Sequence, residues 1–83
     1  LKQIHLSNRE TEKALACCDR ILVLLPDSPE ELRERAWLNL ELERFRSAKR
    51  DFELFLDHFP DHTFARGVRD RLAELDQMLA SMN

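Results

Sequence analysis

The sequence predicts an all-α fold in which about five antiparallel helices form helix-turn-helix repeats with a capping helix at the C-terminus. Residues 26–31 end one helix and begin another, because Pro26 cannot continue a helix and Ser28 opens a capping box that Glu31 completes. The same stop returns at Pro60, 34 residues after Pro26. Around these stops, apolar residues recur every three or four positions, which is the period of an amphipathic helix. Together these observations indicate a repeated helical hairpin.

Two helices are predicted before the first stop. The first covers residues 1–7, and Asn8 can end it in a left-handed cap. The second runs from about residue 11 to residue 25. Its last turn, residues 21–25, is apolar on all sides, which predicts burial on more than one face. Because the chain begins at Leu1 inside a helix, we expect it to be a fragment of a longer protein.

Three helices are predicted after the first stop, at about residues 29–43, 46–59 and 62–80. The last of them carries one apolar stripe on an otherwise charged surface, formed by Phe64, Val68, Leu72, Leu75, Leu79 and Met82. Gly67 lies within this helix, where glycine is destabilising by about 1 kcal/mol unless a neighbour needs the space. We expect the stripe to cover the apolar side of the preceding helix, so that the last helix caps the domain.

The chain aligns with itself when it is shifted by 34 residues. The matching pairs are Ala14 with Ala48, Cys18 with Phe52, Ile21 with Phe55, Leu22 with Leu56, Leu25 with Phe59 and Pro26 with Pro60. A helix-turn-helix unit of this length, with Ala36 and Ala48 at the small positions and Phe45 opening the second helix, resembles the tetratricopeptide repeat (TPR). The resemblance implies one domain over residues 1–83, with a truncated repeat at 1–27, a second repeat at 28–61 and a capping helix at 62–83.

Four positions depart from the pattern of the family. Leu32 stands where a tryptophan or another large residue is usual. Arg35 and Asn39 stand where apolar residues are usual, and Glu43 replaces the glycine before the second helix of the unit. Either the helix is rotated so that Arg35 and Asn39 are solvated, or they face another domain, and we favour the second because a buried charge must be paired. Residues 26–35 also resemble the C-terminal repeat region of bacterial transglutaminase-like proteins, whose catalytic domain lies upstream of that region.

The resemblance also implies a binding surface, because the first helix of each stacked unit lines a concave face. The residues expected on that face are Arg33, Trp37, Leu40 and Glu41 from the third helix and Arg71 from the fifth, together with Glu30, Gly67 and Glu74. Tryptophan and arginine often anchor bound partners, although Trp37 could instead pack on a neighbouring helix. Some members hold a C-terminal carboxylate with lysine and asparagine, but Arg33 and Trp37 occupy those positions here, so that clamp is incomplete.

Composition and charge argue against several other classes of protein. The net charge of −3 arises from interleaved acids and bases, whereas nucleic-acid binding would need a basic face. No apolar run is long enough to cross a membrane. Cys17 and Cys18 are adjacent with no further metal ligands nearby, so we expect reduced thiols and a cytoplasmic location. His58 and His62 are expected in a surface loop, and no residues have the spacing of a catalytic set, so we expect no metal, no cofactor and no enzyme activity.

The sequence therefore predicts a non-catalytic module that binds a protein or peptide through its concave face and acts as a scaffold. Two alternatives stay open. The chain could be a structural C-terminal appendage that docks on a transglutaminase-like domain of the same protein. It could also associate with itself through the apolar end of the second helix, where exposed Val23 and Leu24 would drive formation of a homo-oligomer.

Overall fold

Residues 8–82 are described by a computed structural model, and they form four α-helices. These are α1 (Asn8–Leu24), α2 (Pro29–Glu41), α3 (Phe45–His58) and α4 (Ala65–Ser81). The all-α prediction is confirmed, but the described residues hold four helices rather than about five, and the first predicted segment, residues 1–7, lies outside them. Asn8 lies in α1 instead of ending an earlier helix, so that expectation is wrong.

The helices pack on one another in chain order, α1 on α2, α2 on α3 and α3 on α4. Because the connections are short, successive helices run antiparallel. Side chains from α2 and α4 therefore face each other across α3. This arrangement creates the groove that carries the candidate site.

The joint between α1 and α2 forms largely as the sequence predicts. Ser28 has an extended backbone conformation and its Oγ accepts a hydrogen bond from the Glu31 backbone N–H at 3.4 Å, while Pro29 is the first residue of α2. The Ser28 N–H donates to the Leu25 carbonyl at 3.2 Å rather than to the Glu31 carboxylate. One half of the predicted capping box is therefore present, and it fixes the start of the helix that lines the groove.

Residues 8–82 hold two buried hydrophobic clusters, a small one of Leu15, Cys18 and Leu38 and a larger core that draws on all four helices. Its buried members are Leu22, Leu32, Ala36, Ala48, Phe52, Phe55, Ala65, Val68, Leu75 and Leu79. Ala36 and Ala48 are fully buried, as expected where small residues let α2 and α3 approach closely. The apolar stripe on α4 packs against this core as predicted, except that Met82 is exposed. The position of α4 over the core is what a capping helix requires.

The apolar end of α1 differs from one of the expectations. Leu22 is buried, but Val23 and Leu24 are each 80% exposed, and Ile21 and Leu25 are exposed as well. The prediction that this turn is buried on more than one face is therefore wrong within the part of the chain that the structure describes. A run of apolar residues shows that a surface would be stabilised by burial, but it does not supply the partner that buries it.

Arg35 and Asn39 are neither simply solvated nor turned toward another domain. The Arg35 guanidinium donates hydrogen bonds to Asp51 at 2.8 Å and to Asp19 at 3.0 Å, and the Asn39 amide donates to Asp51 at 2.9 Å. Both sequence-based expectations for these residues are wrong, because their partners come from α1 and α3 of the same domain. Burial acts to lower the pKa of Arg35, but the bonds and charges of Asp51 and Asp19 outweigh it and raise that pKa above its ordinary value.

Glu43 takes the place of the family's glycine in the turn between α2 and α3. Its φ is 58°, in the left-handed region that favours glycine and costs other residues about 1 kcal/mol or more. Its N–H donates to the Leu40 carbonyl at 2.9 Å, and the next N–H, from Arg44, donates to the Asn39 carbonyl at 2.8 Å. The turn thus keeps the conformation that the family's glycine would adopt, with a glutamate held in it.

Candidate binding groove

A groove runs between α2 and α4, with α3 beneath it. It consists of two adjoining cavities of about 400 Å³ and about 430 Å³, which share Trp37, Arg71 and Glu74. The first cavity is otherwise lined by Arg33, Phe52, Thr63, Phe64, Gly67, Val68 and Asp70. The second is otherwise lined by Leu40, Glu41, Phe45, Leu75 and Met78. We call these residues together the groove.

All five residues that the sequence singled out for binding line the groove. Arg33 lies in the first cavity, Leu40 and Glu41 lie in the second, and Trp37 and Arg71 lie where the two meet. Of the other residues expected on this face, Gly67 and Glu74 also line it, whereas Glu30 lines neither cavity. The structure thus places the five side chains together, and their role in binding stays a prediction.

Trp37 is half core and half surface. One part of the ring packs edge-on against the buried Phe52, with the ring centroids 6.0 Å apart, while 37% of the residue is exposed. The Arg71 guanidinium carbon lies 4.7 Å from the Trp37 ring centroid. The sequence left open whether Trp37 serves the groove or the core, and the structure gives it contacts with the core and leaves part of it exposed in the groove.

The two arginines of the groove differ in their partners. Arg71 forms an ion pair with Glu74 at 3.2 Å. The Arg33 guanidinium instead lies 3.9 Å from the centroid of the Phe64 ring. No carboxylate of residues 8–82 lies within 4.0 Å of it, and its buried Nε has no hydrogen-bond acceptor among these residues. Arg33 is therefore a cation that is oriented by stacking and not neutralised by any described residue.

Sequence reasoning missed part of the groove. Leu75 and Met78 follow Arg71 by four and seven residues, so the helical period that grouped the α2 residues would also have found them. Phe45 and Phe64 stand at the starts of α3 and α4, where the direction of a side chain depends on the preceding turn. No periodicity in the sequence reports on that direction.

Gly67 leaves open space in the first cavity. A Cβ atom built on it meets no other atom within 4 Å, so close packing among the described residues does not require the glycine. The exception allowed by the sequence analysis, a neighbour that needs the space, is not found there. Gly67 instead leaves the first cavity wider than a side chain at this position would.

The two histidines beside the end of α3 have contacts with nearby groups. His58 Nδ1 lies 4.0 Å from Asp27, and His62 Nδ1 accepts a hydrogen bond from the Phe64 N–H at 3.1 Å. Among residues 8–82, no group of three or more histidine, cysteine, aspartate or glutamate side chains could hold a metal ion. No helix there is long and apolar enough to span a membrane. Burial and the nearby Glu31 carboxylate raise the pKa of the Cys18 thiol to about 12.

Helices that pack in chain order, with an open groove between alternate ones, define a helical-repeat protein. A sequence model of the tetratricopeptide repeat family matches residues 1–75, and the chain belongs to this family. The chain is also similar to a UPF0162 protein of Xylella fastidiosa, at 32% identity over 75 residues, and to one of Vibrio cholerae, at 29% identity. Each match covers 90% of this chain but only 27% and 28% of the respective relative. No solved structure shows significant similarity to the chain.

Proposed function

We propose that the chain is a non-catalytic module that binds a protein or peptide in the groove between α2 and α4 and acts as a scaffold. Tetratricopeptide repeat domains in general mediate interactions between proteins, and this chain belongs to that family. The observation that carries the proposal is the partly exposed Trp37, which lines the groove together with Arg33 and Arg71 on packed helices. Because the helices are already formed, little conformational entropy is lost when a ligand binds.

A selection of random peptides on the immobilised chain tests this proposal. Recovered peptides are measured against the parent and against Trp37→Ala, which we expect to lose about 2 kcal/mol or more of binding free energy, as anchor residues do. Gln77→Ala is the matched control, because Gln77 is exposed and lines neither cavity of the groove. Peptides that bind Trp37→Ala as tightly as the parent would contradict the proposal.

The test needs a second variant, because Trp37 also packs on Phe52. If Trp37→Ala loses helical circular dichroism, Arg71→Ser replaces it. Arg71 is exposed, so its removal leaves the core unchanged. Peptides that bind in the groove should lose affinity for Arg71→Ser at unchanged helical content.

The exposed end of α1 favours a second candidate function. Val23, Leu24, Leu25 and Ile21 form an apolar surface, and surfaces of this kind commonly drive association. We propose that it packs either on another domain of a longer protein, such as the transglutaminase-like domain that the sequence suggests, or on a second copy of the chain. Sedimentation equilibrium separates the two, since Val23→Lys should dissociate a dimer of the chain, whereas a monomer at all concentrations would exclude self-association.

We also propose a cytoplasmic location. Cys17 is exposed and both cysteines are free thiols, a state that the reducing cytoplasm maintains. Fractionation of cells that express a tagged chain tests this, and recovery from an oxidising compartment would refute it.

A further inference from the structure

We propose that the groove selects an extended peptide in which an acidic, a large apolar and a basic side chain occur at every second residue. The acid lies on Arg33, the apolar side chain lies in the second cavity beside Trp37, and the base lies near Glu41. This inference rests on the proposed function, because it concerns the ligand of the same groove. It specifies the chemistry of that ligand, which the proposed function leaves open.

Arg33 supplies the place for the acid. Its guanidinium is held against the Phe64 ring, and no carboxylate of residues 8–82 lies within 4.0 Å of it. A carboxylate is the ligand group that matches the planar, forked donors of arginine. Arg71 does not compete for this role, because Glu74 already neutralises it.

Glu41 supplies the opposite end. It is an exposed carboxylate of the second cavity, and no basic side chain in the described part of the chain forms an ion pair with it. The groove as a whole contains two arginines and three carboxylates, which are Glu41, Asp70 and Glu74. A ligand that carries only acids would therefore meet repulsion everywhere except at Arg33. The charges favour one acid and one base at opposite ends.

The middle of the groove is apolar. The partly exposed Trp37 lines the second cavity, and Leu40, Leu75 and Met78 complete its apolar wall. A cavity of about 430 Å³ has room for one large aliphatic or aromatic side chain. Burial of that side chain would provide the main attraction, and the charged ends would set its position.

The spacing along α2 fixes the pattern of the ligand. Arg33, Trp37 and Glu41 are four residues apart, and a helix rises about 1.5 Å per residue, so the three positions are separated by about 6 Å each. In an extended chain, side chains on the same face repeat every second residue, at about 6.6–6.8 Å. The alternate side chains of an extended peptide, acid, apolar residue and base, therefore match the spacing of Arg33, Trp37 and Glu41 along α2. The match holds for either direction of the peptide.

Synthetic peptides with blocked termini test the inference, with Trp37 fluorescence and calorimetry as readouts. The first peptide has the sequence Ser-Glu-Ser-Leu-Ser-Lys-Ser and the second has the reverse order. The first control has the same composition as the first peptide, with the leucine moved by a single residue. The second control has the same length, with the lysine replaced by glutamate. We expect the better of the two patterned peptides to bind about tenfold more tightly than either control.

A thermodynamic cycle identifies the partner of Arg33. Arg33→Gln should weaken binding of the glutamate peptide about tenfold, yet leave unchanged the binding of a peptide with glutamine in place of that glutamate. Arg66→Gln is the matched control, since Arg66 is an exposed arginine of α4 that lines neither cavity. If Arg33→Gln fails to fold, the glutamate-to-glutamine change in the peptide still measures the same interaction on the parent chain.

The outcomes separate this inference from the proposed function. If patterned and control peptides bind equally and remain sensitive to Trp37→Ala, the inference is overturned and the groove still binds peptides. If library-selected peptides ignore Trp37→Ala, the proposed function itself fails. A peptide with a free C-terminus and no acidic side chain is the last control. If that peptide binds more tightly than the patterned peptides and loses affinity for Arg33→Gln, Arg33 binds a C-terminal carboxylate rather than an acidic side chain. That result would overturn the inference.

Discussion

Asp51 connects α2 and α3, and replacing it is the sharpest test of the packing described above. Its side chain is only 7% exposed and accepts hydrogen bonds from Arg35 at 2.8 Å and from Asn39 at 2.9 Å. Asp51→Asn keeps the size of the side chain but removes its charge. It also turns one acceptor into a donor, which must face the donors of Arg35 or Asn39. We expect Asp51→Asn to destabilise the domain substantially.

The surroundings of Asp51 set the magnitude. A hydrogen bond to a charged group contributes about 1.5–3 kcal/mol, and breaking a buried pair costs about 3–5 kcal/mol. Arg35 is 24% exposed and keeps its bond to Asp19, so part of its charge remains compensated. We therefore expect a loss of about 2–3 kcal/mol of unfolding free energy. Asp19→Asn is the matched control, because Asp19 binds the same guanidinium but is 57% exposed, and it should cost less than about 1 kcal/mol.

Urea denaturation followed by far-ultraviolet circular dichroism measures both variants. The difference in midpoint at constant slope gives the two losses of stability. Equal losses for Asp19→Asn and Asp51→Asn would show that burial does not distinguish the two carboxylates, and the reasoning would then be refuted.

Three further predictions concern single positions. Glu43→Gly should stabilise the domain by about 0.5–1 kcal/mol and raise Tm by several degrees, because glycine adopts the left-handed conformation without strain, and an unchanged or lower Tm would contradict this. Leu75→Ala should cost about 2–5 kcal/mol of unfolding free energy in urea, because Leu75 is buried in the core that α4 covers, and a loss below 1 kcal/mol would show that α4 is not a required cap. At about pH 8, iodoacetamide should modify exposed Cys17 well before Cys18, because burial raises the pKa of Cys18 to about 12 and keeps it a thiol, and equal rates by mass spectrometry would refute this.

The helices could be predicted because their signals are local. Ser28 and Pro29 mark the start of α2, and Pro60 marks the end of α3, within a residue or two of the observed bounds. Ala36 and Ala48, the two small positions of the repeat pattern, are both fully buried, and their mutual contact stays a prediction. These features depend on neighbouring residues in the chain or on a repeat length, and the sequence displays both.

The roles of Arg35 and Asn39 could not be predicted, because their partners are distant in sequence. Asp51 and Asp19 lie on α3 and α1, and nothing in the spacing of charges along one helix links them to α2. The groove residues likewise fall into those that a single helix predicts and those that depend on contacts between distant parts of the chain. Trp37 follows from the face of a single helix, whereas the contact between Arg33 and Phe64 depends on how the turn before α4 directs an aromatic ring.

The position of α4 has a consequence for how the domain responds to a ligand. Among the described helices α4 packs mainly on α3, and terminal elements with one principal neighbour open more readily than central ones. Residues of α2 and α4 face each other across the groove, so a ligand that contacts both helices would hold α4 in place. Backbone amides of α4 should then exchange with deuterated solvent more slowly when the groove is filled, while those of α1 keep their rates. The frequency with which α4 opens would therefore report whether the groove is occupied.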